Sequence, residues 1–188
     1  MKSINDLIDR ISERKWVFLI VFLFLTLDYL FPLILTSNEA VTLTYAKHLM
    51  NKDWIPNDFF FNQNPGYTLL FSVIAGSLAR ILPLTVVSMI IRILAIVGFS
   101  YLSMRISETF NVKVFVIVIF MYAYLRNQSI VAGEWMLILS ESKTFAYLFA
   151  LLALISFIQK EYSRTFIFLG LSVSFHVLIG IYASFSMV

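Results

Sequence analysis

The chain contains no cysteine, which excludes a disulfide framework and any thiolate metal site. Charge is scarce as well: only 13% of the 188 residues are charged. A water-soluble domain of this size needs more charge than that to cover its surface. The formal net charge of +3 is too small and too dispersed to suit nucleic acid as a partner. No internal repeat or low-complexity stretch is visible, and one domain is enough. The abundant residues are apolar, at 60%, with 19 Phe and 9 Tyr, and the mean hydropathy is +0.88. These values place the chain in a bilayer.

Residues 1–15 set Ile4, Leu7, Ile8 and Ile11 at helical spacing with charges opposite. This predicts an amphipathic helix at the cytoplasmic interface, not a signal peptide, because no small-residue cleavage site follows. A helix needs about 20 apolar residues to cross the hydrocarbon. Residues 16–35, 84–104, 112–126, 143–159 and 165–185 qualify. Residues 66–82 are ambiguous, being short and ending beside Arg80 and Pro83. If they stay on the outer surface, Lys2, Arg10, Arg14, Lys15, Arg105, Lys113, Lys160 and Arg164 all face the cytoplasm, as the positive-inside rule favours. The expected fold is therefore all-α: a polytopic transmembrane bundle of about five spans, the alternative being six. Residues 16–188 form the membrane domain, with outer loops at 36–83 and 127–142 and surface helices in the first. Five spans also put Asp28 and Arg92 at the same depth, so they are expected to form an intramembrane ion pair. The alternative is that each snorkels alone or lines a wet cavity.

Residues 38–50 read as a surface helix, with Thr44, Lys47, His48 and Asn51 on the polar face and His48 solvated. Ser37 or Asn38 is the expected N-cap, which puts Glu39 in the first turn, where the helix dipole favours a carboxylate. From spacing alone, Glu39 simply strengthens its helix. His176, in the middle of a span, reads as a hydrogen-bonded core histidine.

The run from Asn38-Glu39 through Tyr45-Ala46 to Asp53-Trp54 and Asn64-Pro65-Gly66-Tyr67 resembles the start of GT-C superfamily glycosyltransferases. Residues 129–147, from Ser129 to Tyr147, resemble the corresponding segment of protein mannosyltransferases and oligosaccharyltransferase catalytic subunits. The resemblance implies an extracytoplasmic transfer of a sugar from a polyprenyl-phosphate donor, in a membrane whose lipid is the other partner. Glu39 matches the catalytic acid, which takes the acceptor's proton. Arg126 and Lys143 stand where the donor phosphate is held. Asp58, Glu134 and Glu141 are candidates for the acceptor or for a divalent metal such as Mg or Mn. On that reading Glu39→Gln spares folding and removes activity. Asn38 replaces an acid that the family often has, and the chain ends with its fifth span, so an incomplete GT-C module is expected. The alternative is a non-enzymatic membrane protein: part of a transporter, or an inactive relative that binds lipid-linked glycan. Either would be a multi-pass protein with a cytoplasmic N-terminus, in the plasma membrane if the source is bacterial.

Overall fold

Two apolar clusters organise the helices. The computed structural model describes residues 14–30, 34–63, 66–127 and 140–187, and among them there are eight α-helices and no strand. In chain order these are α1 (Arg14–Tyr29), α2 (Ser37–Met50), α3 (Leu69–Ala79), α4 (Leu84–Phe110), α5 (Val114–Arg126), α6 (Ser142–Ile158), α7 (Tyr162–Phe175) and α8 (Val177–Ser186), with a 3₁₀ turn at Gly66–Thr68 before α3. The interfacial helix expected over residues 1–15 lies almost wholly outside the described residues.

The first cluster forms along α4. Val17, Val21 and Leu25 repeat every four residues, which puts them on one face of α1. They pack with Ile96, Phe99 and Leu102 of α4, Ile117 of α5, and Leu148, Leu152 and Ile155 of α6. The second lies at the other end of α4, where Val87 and Ile91 meet Leu43 and Ala46 of α2 and Phe71, Ala75 and Ala79 of α3. With 27 residues, α4 is the one helix among those described that is long and apolar enough to cross a membrane. It ends at Asn111, whose φ of 52° is left-handed. Asparagine tolerates that conformation as a helix terminator. At that end Glu108 pairs with Arg14 and Arg105, and Glu161 with Arg105 and Arg164, tying α1, α4 and the α6–α7 turn together.

The ambiguous segment is short, and one expected span is broken. The ambiguous 66–82 segment is a 3₁₀ turn and an 11-residue helix, which reaches about 16 Å, half the hydrocarbon thickness. The continuous helix expected over 165–185 is broken at His176, whose backbone is extended (φ −154°, ψ 104°). A Cβ on Gly180 would stand 2.4 Å from the Val173 backbone nitrogen. In a straight helix residues seven apart are separated by about 10 Å, so α7 and α8 meet at a sharp corner.

α3 packs on α2 so closely that Gly76 has no room for a side chain: its Cβ would lie 2.1 Å from the Ala46 carbonyl oxygen. A backbone atom cannot rotate away. Gly76→Ala is expected to force α2 and α3 apart and cost about 1–3 kcal/mol. Gly170→Ala, on an open face of α7 with nothing within 4 Å, is expected to be neutral or to stabilise by up to about 1 kcal/mol. Denaturation midpoints in detergent check both. Equal effects at the two sites would mean that the α2–α3 contact is loose.

Candidate functional site

The start of α2 is fixed by its own side chains. Thr36, not Ser37 or Asn38, is the N-cap. Its hydroxyl accepts the Glu39 N–H at 3.3 Å, while Glu39 Oε2 accepts the Thr36 N–H at 2.9 Å. This reciprocal capping box needs Thr-x-x-Glu, a spacing the sequence carries at 36–39. It turns the Glu39 carboxylate inward, onto α4.

There Arg92 grips it with two donors. Arg92 Nε donates to Glu39 Oε1 at 2.9 Å and Nη2 to Oε2 at 2.5 Å. Ser88, one turn earlier on α4, adds its hydroxyl to Oε1 at 3.1 Å. Ser140 then bonds Ser88, its hydroxyl 3.1 Å from the Ser88 hydroxyl and 3.2 Å from the Ser88 carbonyl oxygen. Arg92 also donates to the Ile34 carbonyl at 2.9 Å. Glu39 is 0% and Arg92 2% exposed. Burial alone would raise the Glu39 carboxyl, but the bonds from Arg92, the Thr36 N–H and Ser140 outweigh it and hold the group at about 2.

This corrects the expected ion pair. Asp28 is bonded to Arg126, at 3.3 Å, and Arg92 to Glu39. Matching depth along two helices ignores a third chain segment, and α2 packs on α4 with an acid that reaches Arg92. Asp28–Arg126 is a different kind of pair: the arginine side chain is 60% exposed, and such pairs contribute little.

Beside the buried pair lies a cavity of ≈ 720 Å³, walled by α2, the loop after it, the first turn of α6 and the α7–α8 corner. Asn38, Thr42 and Tyr45 line it from α2, Gln63 from the loop, Glu141, Ser142, Lys143 and Tyr147 from α6, and His176 and Tyr182 from the corner. Stacked Phe145 and Phe175, with ring centroids 5.3 Å apart, and the Ser172 hydroxyl on the Ala146 carbonyl at 2.8 Å hold the corner against α6. Glu141 and Lys143 stand 3.7 Å apart. Burial pushes the Glu141 carboxyl up, more than Lys143 and Asn38 draw it down, and the charge on Glu39 adds to the rise.

Of the residues singled out from sequence, Glu141 and Lys143 therefore share the cavity. Glu39 lies behind its wall. Arg126 is not among the lining residues, and Asp58 caps a turn, its Oδ1 accepting the Phe61 N–H at 3.0 Å. Glu134 lies outside the described residues, as do Asn64 and Pro65. Among the described residues no three metal-ligating side chains come together. Sequence reasoning missed the part of His176 and of the tyrosines in the cavity wall, because nothing in an apolar run marks where its helix breaks. His48, expected in solvent, is fully buried under the loop that follows α2.

The geometry reverses the expectation for Glu39→Gln. Removing the charge strands a buried guanidinium, so Glu39→Gln and Arg92→Gln are each expected to cost about 3–5 kcal/mol. The acid dependence has a definite sign. The folded carboxyl lies below its ordinary 4.5, at about 2, so its contribution is present above pH 4.5 and is lost as the pH falls toward 2. That contribution is roughly 3 kcal/mol. Denaturation followed from pH 6 to pH 2.5 is expected to show the gap between wild type and Glu39→Gln closing as the medium acidifies. A constant gap would mean that Glu39 is not held ionised by the pair.

No protein-family model, no curated protein and no solved structure matches the chain, and the functional reading rests on these residues themselves.

Proposed function

We propose that the chain is a membrane module of a glycosyltransferase-like protein of the GT-C type, and that its cavity receives the sugar-phosphate head of a polyprenyl-phosphate donor on the extracytoplasmic side. The observation that carries this reading is the cavity lining. It combines hydroxyls, amides and tyrosine rings suited to a neutral sugar with one lysine suited to a phosphate. Lys143 sits in the first turn of α6, and Leu178 and Ile179 bring the first turn of α8 to the same wall. Helix N-termini favour anions. The apolar helices around it would accommodate the lipid tail in a five-span arrangement. A volume of ≈ 720 Å³ falls in the range of ordinary ligand pockets.

Within this reading the roles shift from those the resemblance implies. A general base works best with its pKa near the working pH, and Glu39, held at about 2 with both oxygens bonded, is poorly suited. Glu141 faces the cavity with a raised pKa and is the better group to take a proton from an acceptor hydroxyl. Asn38, where the family often has an acid, lines the same cavity as Glu141 and draws its pKa down. The commitment of Glu39 to Arg92 also favours a second reading, in which the module binds lipid-linked glycan without transferring it.

Binding and transfer of radiolabelled polyprenyl-phosphate sugars to the chain in liposomes separates these readings. Lys143→Ala is expected to weaken donor binding roughly 10- to 100-fold, the loss of one charge-assisted bond. Glu141→Gln is expected to leave binding intact and to slow transfer by roughly 10²-fold or more. Binding without transfer by the wild type would select the glycan-binding reading. Binding that Lys143→Ala does not change would place the donor elsewhere.

A further inference from the structure

His48 takes no part in the cavity lining, yet it determines how the cavity's outer wall is attached. Its Nδ1 lies 2.5 Å from the Trp54 carbonyl oxygen and its Nε2 lies 3.2 Å from Asn62 Oδ1. The first partner can only accept a hydrogen bond. The second is equally committed: Asn62 Nδ2 donates to the Pro56 carbonyl at 2.9 Å and to the Asp58 carbonyl at 2.8 Å. Turning the amide over would set its oxygen against both carbonyls, so Oδ1 must face the ring. A neutral imidazole offers one N–H and one lone pair. Either neutral tautomer would then press a lone pair against an oxygen at one of the two contacts. The imidazolium alone satisfies both.

We propose that His48 is a protonated clip that docks the 51–63 loop onto α2, and that loss of its proton releases the loop. The charged surroundings leave the clip to its own proton. On α2, Lys47 stands over the Trp54 ring at 4.0 Å and Glu39 is committed to Arg92 of α4. In the loop, Lys52 and Asp53 are exposed, and Asp58 Oδ1 is taken by the Phe61 N–H. α3, packed on the same helix, carries no ionisable side chain, and Arg80 at its end is exposed. Among the described residues no carboxylate bridges His48, so two neutral oxygens hold its charge inside the fold. The Tyr45 hydroxyl, which donates to the Gln63 carbonyl, and the Tyr45 ring against Phe60 and Phe61 also tie the loop to α2. Phe60 and Gln63 belong to the cavity wall, so releasing the clip opens that wall, whatever the cavity receives.

The native chain has no cysteine, so a nitroxide on Phe59→Cys, a position 84% exposed, reports the loop alone. In the otherwise intact chain the label is expected to be ordered at about pH 5.5. It is expected to become reversibly mobile when the pH is raised to about 8 and the proton is lost. Nitrogen NMR of ¹⁵N-histidine protein is expected to show His48 with both ring nitrogens protonated at pH 5.5. His48→Gln is expected to leave the loop mobile at every pH. The proposal is overturned by a neutral His48 tautomer in folded protein at pH 5.5, by label mobility that ignores pH, or by an unchanged pH response in His48→Gln. Should that variant not fold, the wild-type nitrogen spectrum decides alone.

Discussion

The contact between Glu39 and Arg92 ties α4, the long apolar helix, to the part of the fold that builds a cavity. α4 carries Arg92 among apolar neighbours, where an unpaired guanidinium is costly. A carboxylate that reaches it, Glu39, is delivered by the capping box of α2. α2 is thereby held with its N-terminus on α4, and α3, the loop and the cavity follow from that placement. Arginine suits the task, because its planar fork meets both carboxylate oxygens at once. A buried ion pair is weak evidence of net stability, since a well-packed apolar pair of similar volume is often as stable. What it supplies here is a directional docking point beside the apolar contacts of Val87 and Ile91 with α2.

The cavity then depends on two interruptions of helical regularity. One is the loop of residues 51–63, folded back over His48. The other is the corner at His176, which turns the first residues of α8 toward the first residues of α6. Each brings polar groups to the cavity wall, which Glu141 and Lys143 also line.

Much of this was legible in the chain itself. The all-helical class follows from the apolar runs, and the bounds of α2, α5 and α6 fall close to those that hydropathy suggests. Asp28 and Arg92 were paired by depth because a run of letters records position along a helix but not which neighbour the residue faces. Thr36 caps α2 through Thr-x-x-Glu, a signal masked by Ser37 and Asn38, which are equally good cap residues by type. His48 looked solvated because it shares a helical face with Lys47, and only the loop folding back over that face buries it. The break at His176 has no proline or glycine to announce it.

The central claim is that Glu39 and Arg92 act as one unit. It is tested most directly by a double-mutant cycle on Glu39→Gln and Arg92→Gln in detergent at neutral pH, with Asp28→Asn and Arg126→Gln as a parallel cycle. The account requires a coupling of a few kcal/mol in the first cycle, as residues in one network show, and less than about 1 kcal/mol in the exposed second. Additive losses at Glu39 and Arg92, or stronger coupling between Asp28 and Arg126, would contradict it.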